Sequence, residues 1–151
     1  MWRKIINDAA VTWSDSTNKM VTVSTAREGT CTGLDANLRE PRNVVQIVDL
    51  ASMDVLGCDD PNALGCARSW RGVFGQVNHT RIGIREDSGL DNAGTSCSQL
   101  FRITVHEVGH ALGLGHATSK PDQTVMNMPG DDLCGPQPYD AVAVMAVYQS
   151  R

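Results

Sequence analysis

The 151-residue sequence has no apolar run near the ~20 residues that a membrane-spanning helix needs. It has no excess of basic charge either. Thirteen Lys and Arg stand against seventeen Asp and Glu, for a net charge of −4. That balance argues against binding nucleic acid by neutralising phosphates. Internal repeats, low-complexity tracts and linker-like stretches are missing, and no secretory signal is visible at the start. The five cysteines form no C-x-x-C pair, so a zinc site built on such pairs is not expected. Histidines are few. Of four, only His79 lies outside the short stretch 106–116.

What is present fits one soluble globular domain covering residues 1–151. The apolar fraction is 41% and the charged fraction 20%. A chain of this length buries a real core without staples. Trp2, Ile5, Ile6, Ala9, Ala10 and Trp13 recur at helical spacing and predict an amphipathic helix over 2–13. Met20 to Ser24 alternates as a strand does, with Val21 and Val23 on one side. Residues 25–42 read as loop. Asn43 to Leu50 is rich in β-branched residues and predicts a buried strand, followed by a loop carrying Cys58 and Cys66 over 51–69. Gly72–Val77 and Arg81–Arg85 read as two more short strands. Ser96 or Ser98 can cap a helix running to about Leu112, with Leu100, Phe101, Val105, Val108 and Leu112 as its apolar contacts.

Within that helix and just beyond it stands His106-Glu107-Val108-Gly109-His110-Ala111-Leu112-Gly113-Leu114-Gly115-His116. Residues four apart on a helix share one face, so His106 and His110 can bind one metal ion together. Glu107 can reach a water on that metal. Gly113 lets the chain leave helical geometry without a Cβ penalty and bring His116 back as a third ligand. Three protein ligands leave one zinc position open, as in a catalytic rather than a structural site.

The pattern H-E-x-x-H-x-x-G-x-x-H, followed by Thr124-Val125-Met126-Asn127-Met128-Pro129, resembles the metzincin zinc endopeptidases, most closely the matrixin branch. That likeness implies an α+β fold with a twisted mixed sheet and a long active-site helix. An upper part reaching about residue 113 would be followed by a small lower part, about 114–151, with a Met-turn and a final helix. It implies one catalytic Zn²⁺ on His106, His110 and His116. Glu107 would act as general base toward a zinc-activated water, and Met126 would form a hydrophobic floor beneath the histidines. An antiparallel edge strand at Gly72, Val73, Phe74 and Gly75 would hold an extended protein or peptide substrate. The alanines in 141–149, with the family likeness, favour a last helix capped by Asp140.

The sequence departs from matrixins in having Ala117 after the third histidine. It also lacks the histidines of their second, structural zinc, and His79 is expected at the surface or at a strand end. Cys58 with Cys66 and Cys97 with Cys134 are candidate disulfides, which suits an extracellular protein whose signal segment is not in this sequence. The spacing does not choose among connectivities, and Cys31 is left over. The likeness also admits calcium, for which Asp59, Asp60, Asp87, Asp91, Asp131 and Asp132 are available, and a removed propeptide. A monomer is the default. Two other functions share these residues: a catalytically silent module that binds a partner in its cleft, and a zinc amidase acting on a non-protein link.

Overall fold

The computed structural model describes residues 2–23, 43–48, 50–58, 60, 62–73, 76–88, 97–118, 124–127 and 133–149. In chain order the elements are α1 (Trp2–Ser16), β1 (Val44–Val48), α2 (Leu50–Leu56), β2 (Gly65–Arg71), β3 (Val77–Arg85), α3 (Gln99–Ala111) and α4 (Pro138–Gln149). The fold is α+β. Its sheet has the order β1-β3-β2, with β1 parallel and β2 antiparallel to β3. Thr80–Ile84 of the central strand are all buried, as expected for a strand flanked on both sides.

The helix α1 runs one turn further than the periodicity predicts. It stops where Asn18 and Lys19 take positive φ of 51° and 60°. It lays Ala9, Ala10 and Trp13 into the core, and the Trp13 indole Nε1 donates to the Val105 carbonyl of α3 at 2.8 Å. That bond satisfies the one polar atom of a fully buried tryptophan and fixes α1 on α3. Leu100 and Val105 of α3 and Val144 of α4 are each 0% exposed. Each contributes about 1.5–3 kcal/mol through burial.

Four sequence expectations are corrected. Residues 20–23 are not a strand, because the hydroxyls of Ser14, within α1, and Thr17, just past its end, take the Val23 and Val21 donors. Val21 N–H donates to Thr17 Oγ1 at 3.3 Å and Val23 N–H to Ser14 Oγ at 2.8 Å. Ser24 lies outside the described residues. The strand from Asn43 ends at Val48, and the chain continues as α2, which docks Met53 and Leu56 beside Gly83 of β3.

The third correction concerns the edge strand. Gly72 and Val73 are not strand residues, and Phe74 and Gly75 lie outside the described residues. The Gly72 N–H donates to the Gln76 carbonyl at 2.8 Å, so the chain reverses there, and Val73 is 97% exposed. The antiparallel edge is β2, which starts seven residues upstream of Gly72 and has its first five residues inside the 51–69 stretch expected to be loop. Glycine favours the reversal over the strand interior. The fourth concerns His79. It lies within β3, half-buried and stacked on Trp70 of β2 with centroids 4.6 Å apart, rather than at a strand end.

Two disulfides are formed. Cys58–Cys66 joins the end of α2 to β2, and Cys97–Cys134 joins the entrance of α3 to the segment before α4. Cys31 lies outside the described residues. No helix of the described residues is long and apolar enough to cross a membrane.

Candidate metal centre

The helix α3 starts at Ser98, whose backbone is extended (φ −69°, ψ 150°) and whose side chain accepts from Phe101 N–H. This satisfies one of the donors that a helix start leaves without an intrahelical partner. The helix ends in a Schellman turn. Gly113 N–H donates to the His110 carbonyl at 3.0 Å, and Leu114 N–H donates to the Gly109 carbonyl at 3.1 Å. Gly113 has φ of +101°, a conformation that side-chain-bearing residues rarely adopt. Beyond it, Ala117 N–H donates to the Met126 carbonyl at 2.8 Å and ties the segment carrying His116 to the Met-turn.

These two devices bring three imidazoles together. The Nε2 atoms of His106, His110 and His116 lie 3.0–3.2 Å from one another. Tetrahedral zinc, with bonds of about 2.0–2.1 Å, holds its nitrogen ligands roughly 3.3–3.4 Å apart. The opposite ring nitrogens face carbonyl acceptors. His106 Nδ1 lies 2.7 Å from the Val125 oxygen, and His110 Nδ1 lies 2.8 Å from the Leu114 oxygen. A proton held at Nδ1 leaves the Nε2 lone pair free toward the common centre. Both the spacing and the tautomers fit a zinc ion. Among the described residues this triad is the one cluster of three or more metal-ligating side chains. Asp87 is bonded to Arg85 instead. Asp59, Asp91, Asp131 and Asp132 lie outside the described residues.

Burial also favours neutral rings. It holds His106 down to about 4, with the like charges of His110 and His116 adding to the effect and the Val125 carbonyl opposing it. His110 is lowered for the same first reason. A folded-state pKa below the unfolded value contributes stability that is present above the unfolded value and lost as pH falls through the folded one. The metal-free protein should therefore lose Tm as pH drops from about 6.5 toward 4, an interval bounded by the ordinary histidine value. The Glu107 carboxyl is pushed up to about 8 by burial and works in the opposite sense, losing stability as pH rises from about 4.5 to 8. Thermal unfolding of His106→Gln isolates the histidine part, since that variant should show a flatter fall on the acid side. An unchanged slope would contradict this assignment.

Glu107 is 5% exposed, and its Oε2 is buried with no hydrogen-bond partner. Met126 is 2% exposed and lies against α3 at Gly109. A Cβ on Gly109 would stand 2.3 Å from the Met126 sulfur and 2.9 Å from Trp13 Cζ2. Gly109 is one of the unspecified positions of the sequence pattern, and only this packing explains a glycine there.

Asp140 has a role the sequence did not reveal. It was expected to cap α4, yet it is the third residue of that helix and only 1% exposed. Its carboxylate accepts from Gln137 N–H at 2.8 Å, reaching back over the helix start as the acidic member of a capping box does. It also accepts from Val125 N–H at 3.0 Å and from the Thr124 hydroxyl. The Val125 carbonyl, in turn, faces His106 Nδ1. One carboxylate thus joins α4 to the turn that orients His106, a member of the candidate triad. In Asp140→Asn one oxygen must serve donors that two now serve. We expect a loss of about 2 kcal/mol or more in stability. Zinc affinity should fall about tenfold, the low end for a group acting through a ligand's partner. Thermal unfolding and a competitive zinc titration measure the two effects.

The family model described as Matrixin matches residues 3–148 of the chain. No solved structure matched it.

Proposed function

The chain belongs to the matrixin family, and from that premise we propose that it is a secreted zinc endopeptidase with Glu107 as general base. Residues 1–151 form one catalytic domain, with an upper part to about residue 113 and a lower part from 114 to 151. The two disulfides support the extracellular assignment. The observation that carries the proposal is the convergence of three Nε2 atoms, together with the buried, unpartnered Oε2 of Glu107, the residue that follows His106 in the chain.

His106, His110 and His116 would hold the ion, and Val125 and Leu114 orient two of those rings through their carbonyls. When bound, zinc supplies a Lewis acid for the scissile carbonyl and lowers the pKa of water to roughly 7. Glu107 accepts a proton from the attacking water at a carboxylate oxygen and passes it to the leaving amine. A bound cation and burial would act on this carboxylate in opposite directions. Burial raises its pKa, while the positive charge favours the ionised form that a base needs.

The substrate lies along β2. That strand pairs with β3 on one side, and its other side carries no strand among the described residues. An extended peptide adds there through main-chain hydrogen bonds, so many sequences can be held alike. Incubation with casein or a mixed peptide library, alongside metal analysis, tests the proposal. Cleavage by protein containing one zinc per chain is expected. Zinc-loaded protein that cleaves neither substrate would count against a general endopeptidase.

A further inference from the structure

The strand β2 faces α3 with its small residues. Gly65 and Ala67 lie on that face, while Cys66 between them points to the opposite side and bonds Cys58 of the α2 segment. At Gly65 the approach is closest. A Cβ there would stand 2.5 Å from Ile103 Cγ2, 2.8 Å from Glu107 Oε1 and 2.9 Å from Glu107 Cγ. Ile103 and Glu107 are four apart, so both project from one face of α3 toward the strand.

We propose that Gly65 is a positioning residue for Glu107: its bare backbone forms the wall against which the carboxylate is set. This rests on the endopeptidase reading of the same site. Glu107 Oε2 has no hydrogen-bond partner among the described protein groups, so on the protein side its orientation is set by packing. Real Cβ contacts do not persist below 3.0 Å. An added methyl must turn the carboxylate away or push β2 outward. The Cys58–Cys66 bond, formed by the very next residue, resists the second movement. The carboxylate is the softer partner and moves. General-base catalysis is sensitive to such a displacement, because the oxygen must stay within hydrogen-bond reach of the proton it takes.

The test separates this role from simple packing. Gly65→Ala also collides with Ile103, so the informative comparison is Gly65→Ala/Ile103→Ala against Ile103→Ala alone. The double change removes the Ile103 clash and keeps the one with Glu107. Relative to Ile103→Ala, we expect kcat to fall about tenfold with KM within about twofold, the pattern of an interaction needed in the transition state. Zinc content should stay at one per chain. Crystal structures of the two variants should show the Glu107 carboxylate displaced while α3 and the histidines superpose. Equal kcat, or an effect on KM alone, would overturn the proposal, and so would an unmoved carboxylate. The structural comparison also decides the matter if the protein cleaves nothing. In that event the endopeptidase reading fails, while the position of the carboxylate still supports or refutes the role of Gly65.

Discussion

Glu107→Gln is expected to keep one zinc per chain and to lose at least a hundredfold in kcat, the lower bound for removing a general acid–base group. Glutamine has nearly the same shape, so the wall at Gly65 and the packing of α3 are preserved. It cannot take up a proton at neutral pH. Neither His106 nor His110 depends on this side chain for its bond to the Val125 or Leu114 carbonyl. Zinc binding and turnover should therefore separate cleanly. The variant should also be more stable than the parent at alkaline pH in the metal-free state. Burial raises the Glu107 pKa to about 8. Ionising this carboxyl above that pH costs folding free energy that a neutral amide does not incur. Metal analysis, steady-state kinetics and thermal unfolding read the three effects. Full activity in the variant would remove Glu107 from the mechanism.

The second large effect is expected from His110→Ala, which should abolish both zinc retention and turnover. The three Nε2 atoms form a nearly equilateral set, and removing one leaves two protein ligands on a metal that its sites ordinarily hold with three or four. The loss in affinity should exceed the roughly 10–100-fold seen when only a ligand's hydrogen-bond partner is removed. The fold should survive, because the His110 ring is only part-buried and the Schellman turn uses its backbone carbonyl rather than its side chain. Zinc per chain after dialysis against a competing chelator, with circular dichroism as the control, measures this. Stoichiometric zinc in the folded variant would mean that the ion is held elsewhere.

The ligands and Glu107 follow from spacing within one helix and the turn after it. Gly113 could be read as the exit from that helix because its conformational freedom is local. The cap at Ser98 and both disulfides are legible as candidates in the sequence, although spacing leaves Ser96 and other cysteine pairings open.

Elsewhere local reading failed. Residues 65–71 contain Arg68, Ser69 and Arg71, and they lie next to a polar segment, so they resemble a loop by composition. They form a strand because β3 offers a partner edge. Val21 and Val23 alternate correctly for a strand but find the hydroxyls of Thr17 and Ser14, at the end of α1 and just past it, instead. Asp140 reads as a helix cap, and one of its bonds is of that kind. Its bonds to Thr124 and Val125 span 16 and 15 residues, and no local pattern encodes them.

The order of residues was enough to single out His106, His110, His116 and Glu107 as candidate site residues, because helix geometry converts residue spacing into position in space; the class of fold came through the family likeness that the same motif carries. Only the tertiary structure decided which strand forms the edge, why Gly65 and Gly109 carry no side chain, and how Asp140 holds the turn that orients His106. Each of these depends on contact between segments far apart in the chain, where the order of residues sets no distance.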